Sequence, residues 1–379
     1  MVGVIKNLLF LEHLISHYAG RPLSNVDPLV RKILAIALYQ MRFLDRVPDS
    51  AAVDQAVEQT RRFGRGRASK FVNAVLRNAT REPSPPLPEP ADRVRYAQVV
   101  LSHPPELFAR LEKVAGIEGA MAICRHDNAE PPTIVRANHV NALIADGVSV
   151  EPHETPGMFV VRGAKAADLA GWAKRGIAQV QDPTAARVVQ RSDLKPGQSV
   201  LDRCCGLGTK TLQMAESVGD SGRVVAMDPN RMRIEGLRRM VADRGLANIA
   251  VHQAGMMADL TGDAPRLFDR AIVDAPCSNS GVMARRPEAR YTQTDKALSG
   301  LAKLQDRILE DIAAVIAPGG LLVYSTCSIW PEENTQRVTA FLERHGGFAL
   351  VEQDTVLPSG DVADTAYHDG GFLAVLRRT

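Results

Sequence analysis

The sequence predicts an α/β protein built on a doubly wound parallel sheet, preceded by a small all-α domain. Three observations carry that expectation. From residue 181 onward, short apolar runs alternate with segments of helical periodicity, the pattern of successive βαβ units. Before residue 82, apolar residues recur at helical spacing. Between the two lies Glu82-Pro-Ser-Pro-Pro-Leu-Pro-Glu-Pro90, a stiff and extended stretch. At 379 residues the chain is also too long for a single core.

Taken in order, residues 1–82 read as helices. Val30, Ile33, Leu34, Ile36, Ala37, Leu38 and Met41 form one apolar stripe. Ser50 ahead of Ala51-Ala-Val-Asp54 reads as a capped helix start. Phe71, Val72, Ala74, Val75 and Leu76 mark a further helix over 69–77. Residues 83–94 are the expected linker. Residues 95–180 read as a small α+β unit, with a helix over 105–115 and strands at 133–136 and 158–162. From 181 to 379 the expected strands are 199–202, 224–227, 249–252, 271–273 and 321–324. The expected helices are 211–218, 232–244 and 298–316.

Hydrophobic content of 45% and charged content of 23% are ordinary for a soluble globular protein, and the net charge is +3. The charge is unevenly spread. Residues 1–95 hold 15 Lys and Arg against 9 Asp and Glu, an excess of six, which leaves a deficit of three elsewhere. The excess sits in Arg61, Arg62, Arg65, Arg67, Lys70, Arg77 and Arg81, which is either a solvated face or a phosphate-backbone footprint. Cys124, Cys204, Cys205, Cys277 and Cys327 are odd in number and form no pair of CxxC knuckles. Neither a disulfide framework nor a metal site is expected. Glu12 and His13 interrupt the apolar stretch 8–11, so neither a signal peptide nor a membrane span is expected, and the expected location is cytoplasmic.

Two strand ends carry cofactor chemistry. After 199–202 comes Cys204-Cys-Gly-Leu-Gly-Thr-Lys210, whose Gly206 and Gly208 allow backbone to approach a ligand closely. The spacing is neither a P-loop nor a full G-x-G-x-x-G. The strand 224–227 ends at Asp228, about 20 residues beyond those glycines, as an acceptor for ribose hydroxyls does. NAD and S-adenosylmethionine both fit, and capping of the following helix is the plain alternative.

Two further strand ends carry thiols. Asp274-Ala-Pro-Cys277-Ser278 follows one strand and Ser325-Thr-Cys327-Ser328 follows another, ahead of Pro331-Glu-Glu-Asn334. A thiol between a strand end and a helix start is a plausible nucleophile, with Ser328 as an N-cap, although a lone Cys is more often core.

Together these motifs resemble the two cysteine motifs of the Sun/Nop RNA 5-methylcytosine methyltransferases, closest to their bacterial RsmB-like 16S ribosomal RNA branch. Residues 30–80, with Ala37-Leu-Tyr-Gln40 and Val72-Asn-Ala-Val-Leu-Arg77, resemble that branch's NusB-like helical domain, here apparently shortened. Asn128, Pro131-Pro132, Arg136 and Asn138 resemble its RNA-binding segment, and Gln181-Asp182 the pair leading into its core. The resemblance implies a class I, Rossmann-like methyltransferase domain over 181–379 that binds S-adenosylmethionine. It assigns Cys327 as nucleophile, Cys277 to product release, and Asp274 and Lys210 to the target base. It implies cofactor contacts from Asp202, Cys204, Cys205, Gly206, Leu207, Gly208, Thr209, Lys210, Asp228 and Asp274. It implies RNA contacts from Asn128, Arg136, Arg285 and Pro287, with 16S ribosomal RNA as partner.

Two departures stand out. Asp202-Arg-Cys-Cys-Gly-Leu-Gly-Thr-Lys-Thr211 replaces the family's Ala-Ala-Pro core with a Gly-x-Gly turn, and Gln253-Ala-Gly-Met-Met257 lacks the expected acid, Asp259 being the nearest. A non-catalytic RNA-binding or ribosome-assembly factor is therefore the alternative, and a class I methyltransferase acting on protein or a small molecule a third reading.

Overall fold

The structure is a computed structural model that describes residues 1–260, 265–359 and 362–379. The chain forms two compact units, Met1–Asn128 and Ala129–Thr379. The first is helical: α1 (Val2–Lys6), α2 (Leu8–Ala19), α3 (Pro28–Phe43), α4 (Asp49–Arg62), α5 (Ser69–Arg81), α6 (Arg93–Val99) and α7 (Pro105–Asn128), the last interrupted at Gly116 (φ 70). Leu11, Leu14 and Ile15 of α2 pack with Val30, Ile33, Leu34 and Leu38 of α3 and with Val72, Val75 and Leu76 of α5. The expected α3 stripe is thus core, except that Ile36 falls on the outer face. Asp27 starts α3 by accepting from the Leu29 and Val30 N–H groups, with Pro28 in the first turn. Ser50 is no cap, because α4 already begins at Asp49.

The boundary between units is not the Pro-rich stretch. Tyr18 donates to the Glu82 carbonyl, the His13 ring bonds the Pro86 carbonyl, and the Leu9 N–H donates to Ser102 Oγ. These bonds strap residues 82–102 onto the helical core. The helix expected over 105–115 therefore belongs to the first unit, and the small α+β unit does not begin at 95.

The second unit opens with a four-stranded antiparallel sheet. Its elements are β1 (Ile134–Ala137), α8 (Val140–Ala145), β2 (Ser149–Pro152), β3 (Met158–Arg162), α9 (Ala166–Arg175) and β4 (Ala178–Val180), with strand order β2-β3-β1-β4. Trp172 of α9 fills its core against Val135, Leu143, Val161 and Ala178.

The larger sheet follows through α10 (Pro183–Gln190), β5 (Ser199–Arg203), α11 (Thr209–Val218), β6 (Arg223–Asp228), α12 (Arg231–Asp243), β7 (Ile249–Gln253) and β8 (Phe268–Asp274). It closes with α13 (Asp295–Ala313), β9 (Ile316–Thr326), α14 (Thr335–Arg344), β10 (Phe348–Val356) and β11 (Gly371–Arg378). The order is β10-β11-β9-β8-β5-β6-β7. The strands from β9 to β7 are parallel, as expected, and β9, β8, β5 and β6 are buried on both faces. Leu201, Val225, Ala271 and Leu322 point to one layer, and Val200, Val224, Ile272 and Val323 to the other. β11 instead pairs antiparallel with both β9 and β10, so the all-parallel expectation ends at β9. Ile316 begins β9 opposite Phe268, so the preceding helix stops three residues earlier than expected.

The chain leaves β5 toward β6 on one side and returns to β8 on the other. Ligands of open α/β sheets bind at such a reversal, at the strands' carboxyl ends. Two glycines close this edge against β11. The Gly281 N–H donates to the Cys327 carbonyl at 2.9 Å, and the Gly370 N–H donates to the Gly281 carbonyl at 2.7 Å. A Cβ at 281 would stand 2.5 Å from the Gly370 backbone. Gly281→Ala is expected to lower unfolding free energy by about 1–3 kcal/mol in urea denaturation; an unchanged midpoint would show that the backbones do not meet this closely.

Candidate active site

The cofactor-facing turn is built from positive φ. Cys204 (φ 78), Gly206 (φ 58) and Gly208 (φ 89) bend the chain from β5 into α11. A Cβ on Gly208 would stand 2.3 Å from a Leu237 methyl, so only glycine lets α11 start this close to α12. Asp228, at the tip of β6, accepts from the Gly206 N–H at 3.2 Å and from the Asn230 N–H at 2.8 Å. It is not the cap of α12, because the Asn230 side chain holds that place by accepting from the Arg233 N–H. Asp202 is buried; one carboxylate oxygen accepts from Thr211 at 2.6 Å, while the other has no partner among the described residues. Leu207 projects from the turn, 70% exposed.

Burial sorts the thiols. It pushes the Cys204 thiol up to about 12, and the Cys205 thiol well above its usual range. In both, burial disfavours the thiolate.

Beyond β7, Asp259 accepts from the Gly255 and Met256 N–H groups at 3.0 and 2.8 Å, which folds its carboxylate back onto the segment where the sequence lacks an acid. The Arg203 guanidinium, buried beneath, meets Asp311 at 3.4 Å and the Gly255 carbonyl. Asp311 in turn accepts from the Met257 N–H at 3.0 Å.

The two cysteine motifs meet. The sulfurs of Cys277 and Cys327 lie 2.8 Å apart. Asp274, at the end of β8, accepts from Lys210 Nζ at 2.7 Å and from Ser325 Oγ at 3.2 Å. Lys210, Asp274, Cys327 and Phe372 line one pocket at this edge. Contact with Cys327, burial and the nearby Glu333 carboxylate push the Cys277 thiol well above its usual range.

Glu333, fully buried, accepts from the Ser278 N–H at 2.9 Å, the Ser278 hydroxyl at 2.5 Å and Gln305 Nε2 at 3.1 Å. Asn334 bonds Thr326 Oγ1 at 2.6 Å and donates to the Ser328 carbonyl at 2.8 Å. Pro331–Glu333 form a 3-10 turn, and the regular helix starts only at Thr335. Ser328 accordingly does not cap α14; its hydroxyl accepts from the Trp330 N–H.

Sequence reasoning missed Gln305, Asn279 and the clamp made by Glu333. Gln305 sits on the otherwise apolar inner face of α13, and that break was the one visible signal. Asn279 Oδ1 lies 3.2 Å from Cys327 Sγ.

The four expected RNA contacts fall in both units, Asn128 in the first and Arg136, Arg285 and Pro287 in the second. Asn128 ends α7 in the first unit and donates to the Leu101 carbonyl. Arg136 pairs with Glu216 at 2.5 Å and bonds Gln181. Arg285 pairs with Asp369 at 2.6 Å and lies 3.7 Å from Asp182. Pro287 is buried and opens a 3-10 turn. Both arginines thus spend their charge on carboxylates of the second unit.

A turn open to close backbone approach, a carboxylate at the second strand tip and a buried carboxylate oxygen without a partner suit a nucleoside-type methyl donor. With the reversal point of the sheet they define a class I methyltransferase core. Residues 189–368 match the family described as 16S rRNA methyltransferase RsmB/F, and residues 1–81 match the NusB family. A Bacillus subtilis protein named "Probable ribosomal RNA small subunit methyltransferase B" is 32% identical over 91% of this chain and 79% of its own. The ribosomal RNA small subunit methyltransferase B of Pseudomonas putida is 32% identical over 97% and 86%. The crystal structure of PH0851 superposes with a TM-score of 0.81 at 23% identity, covering 100% of this chain and 88% of that one. That of NSun6 from Pyrococcus horikoshii with SFG gives 0.62 at 18%, covering 73% and 98%. The chain belongs to the RsmB/F family of 16S rRNA methyltransferases, and its methyl donor is S-adenosylmethionine.

Burial raises Asp202 to about 7, and burial together with the Asp369 carboxylate raises Asp182 to about 7. An acid raised in the fold stabilises below its unfolded value, about 4, and that stability is lost as pH climbs through about 7. The thermal midpoint is expected to fall between pH 5 and pH 8, and Asp202→Asn to flatten the fall. An equal slope in the variant, followed by circular dichroism, would exclude Asp202 as a source.

Proposed function

We propose that this chain methylates carbon 5 of a cytosine in RNA, 16S ribosomal RNA being the favoured target, through a covalent Cys327 adduct released with Cys277. The observation that carries the reading is two sulfurs 2.8 Å apart beside Asp274, at the edge where the sheet reverses. Carbon 5 of cytosine is a poor nucleophile on its own. Addition of the Cys327 sulfur to carbon 6 pushes the ring electrons toward carbon 5 and makes it enamine-like. Asp274, oriented by Lys210 and Ser325, hydrogen-bonds the ring at nitrogen 3 and stabilises the charge that develops there. S-adenosylmethionine, when bound, supplies an electrophilic methyl group.

Release requires two changes: the proton on carbon 5 passes to the Cys277 sulfur, whose own thiol proton has gone to water, and the electron pair left behind reforms the ring double bond while expelling the Cys327 sulfur as a thiolate. Cys277 is the group beside that bond. The target base is single-stranded or flipped, since a paired base cannot reach a thiol at a sheet edge. A NusB-family unit with a basic excess supports RNA as the partner.

With labelled methyl donor and undermethylated small-subunit RNA, Cys327→Ala is expected to lose transfer by at least about 10³-fold; undiminished transfer would remove the sulfur from the chemistry. Cys277→Ala is expected to accumulate an RNA–protein adduct that survives a denaturing gel. Normal turnover without adduct would deny Cys277 its part in release.

A further inference from the structure

Cys277 is held by the peptide groups on either side of it. The Ser278 N–H donates to Glu333 Oε1 at 2.9 Å, and the Pro276 carbonyl accepts from Gln305 Nε2 at 2.9 Å. Gln305 Nε2 also donates to Glu333 Oε1 at 3.1 Å, which closes a ring of bonds around the cysteine. Two acceptors facing one nitrogen settle which end of the amide they meet. Cys327 is held differently. Its carbonyl accepts from the Gly281 N–H at 2.9 Å, and Asn334 bonds Thr326 and Ser328 on its two sides. None of those bonds involves Gln305. Two sulfurs 2.8 Å apart thus have separate supports.

We propose that Gln305 is a positioning residue for the release step: it fixes the peptide ahead of Cys277, and so the place of the Cys277 sulfur, without entering the support of Cys327. The role rests on the proposed reaction, in which Cys277 takes the proton from carbon 5. Gln305 is fully buried on the inner face of α13, among Ile308, Leu309 and Ile312. An amide on such a face costs stability unless its bonds are made, and both of its N–H bonds go to the frame around Cys277. Gln305 Oε1 has no partner among the described residues, so Gln305→Met removes those two bonds and keeps the volume.

The test uses the full chain with undermethylated small-subunit RNA and S-adenosylmethionine. Gln305→Met is expected to lower kcat by about 10-fold at an unchanged KM for RNA, and to accumulate the adduct that survives a denaturing gel. In a Cys277→Ala background the same change is expected to leave the rate of adduct formation as it was, because a residue acting through Cys277 has no effect once that thiol is gone. A merely structural role slows adduct formation in both backgrounds; that result overturns the proposal, as does a kcat unchanged within about twofold. A second measurement needs neither RNA nor methyl donor. Phenylarsine oxide condenses with two thiols, forming two S–As bonds and releasing water, where one arsenic reaches both sulfurs. The concentration that protects the Cys277 and Cys327 peptides from alkylation is expected to rise about 3- to 10-fold in Gln305→Met. An unchanged midpoint overturns the positioning role while the reaction stands. A shifted midpoint with no adduct in Cys277→Ala instead overturns the release reading, and this role with it.

Discussion

The site depends on one buried carboxylate. Glu333 is held by an N–H, a hydroxyl and an amide, from Ser278 and Gln305. Those bonds join the loop after β8 to the loop after β9 and to α13. A buried carboxylate this well surrounded by donors is costly to disturb, because any one donor removed leaves charge uncompensated. The two sulfurs are therefore set by a network lying behind them, and Asn334 repeats the arrangement on the other side of Cys327 through Thr326 and Ser328. The stretch Pro331-Glu-Glu-Asn334 is better understood as this clamp than as the first turn of a helix.

Electrostatics divides the remaining polar groups by task. Burial holds the Cys204 and Cys205 thiols well above their usual range. Arg136 and Arg285 tie segments of the second unit together and are spent in doing so. Asp259 folds back onto Gly255, returning a carboxylate to the loop beyond β7 whose sequence shows none. The sequence concentrates its further basic residues in and between α4 and α5.

Much of this was legible in the sequence for a physical reason. β5, β6, β8 and β9 are buried on both faces, so each writes a continuous apolar run, and the residues at their carboxyl ends can be counted off directly. The structure puts Asp228, Asp274, Cys277 and Cys327 at that edge. β10 was not legible because it is largely exposed and shows no buried alternation. The unit boundary misled because proline richness reports local stiffness, whereas Tyr18, His13 and Leu9 decide where the stretch docks. Asn279, Gln305 and Glu333 act across 28 to 55 positions of chain, a separation that local pattern does not encode.

The place of β11 bears on when the molecule becomes competent. It is the last of the seven strands in chain order, yet it lies inside the sheet, between β9 and β10. Its leading residues Gly371 and Phe372, with Gly370 just before it, form a wall of the pocket that holds Cys327. A nascent chain that has delivered both thiols but not this strand has an open sheet edge and no finished pocket. Domains fold as their residues emerge, so assembly of the reactive centre waits for nearly the whole second unit to be synthesised. The pocket around Cys327 is thereby completed only by the last strand of the sheet.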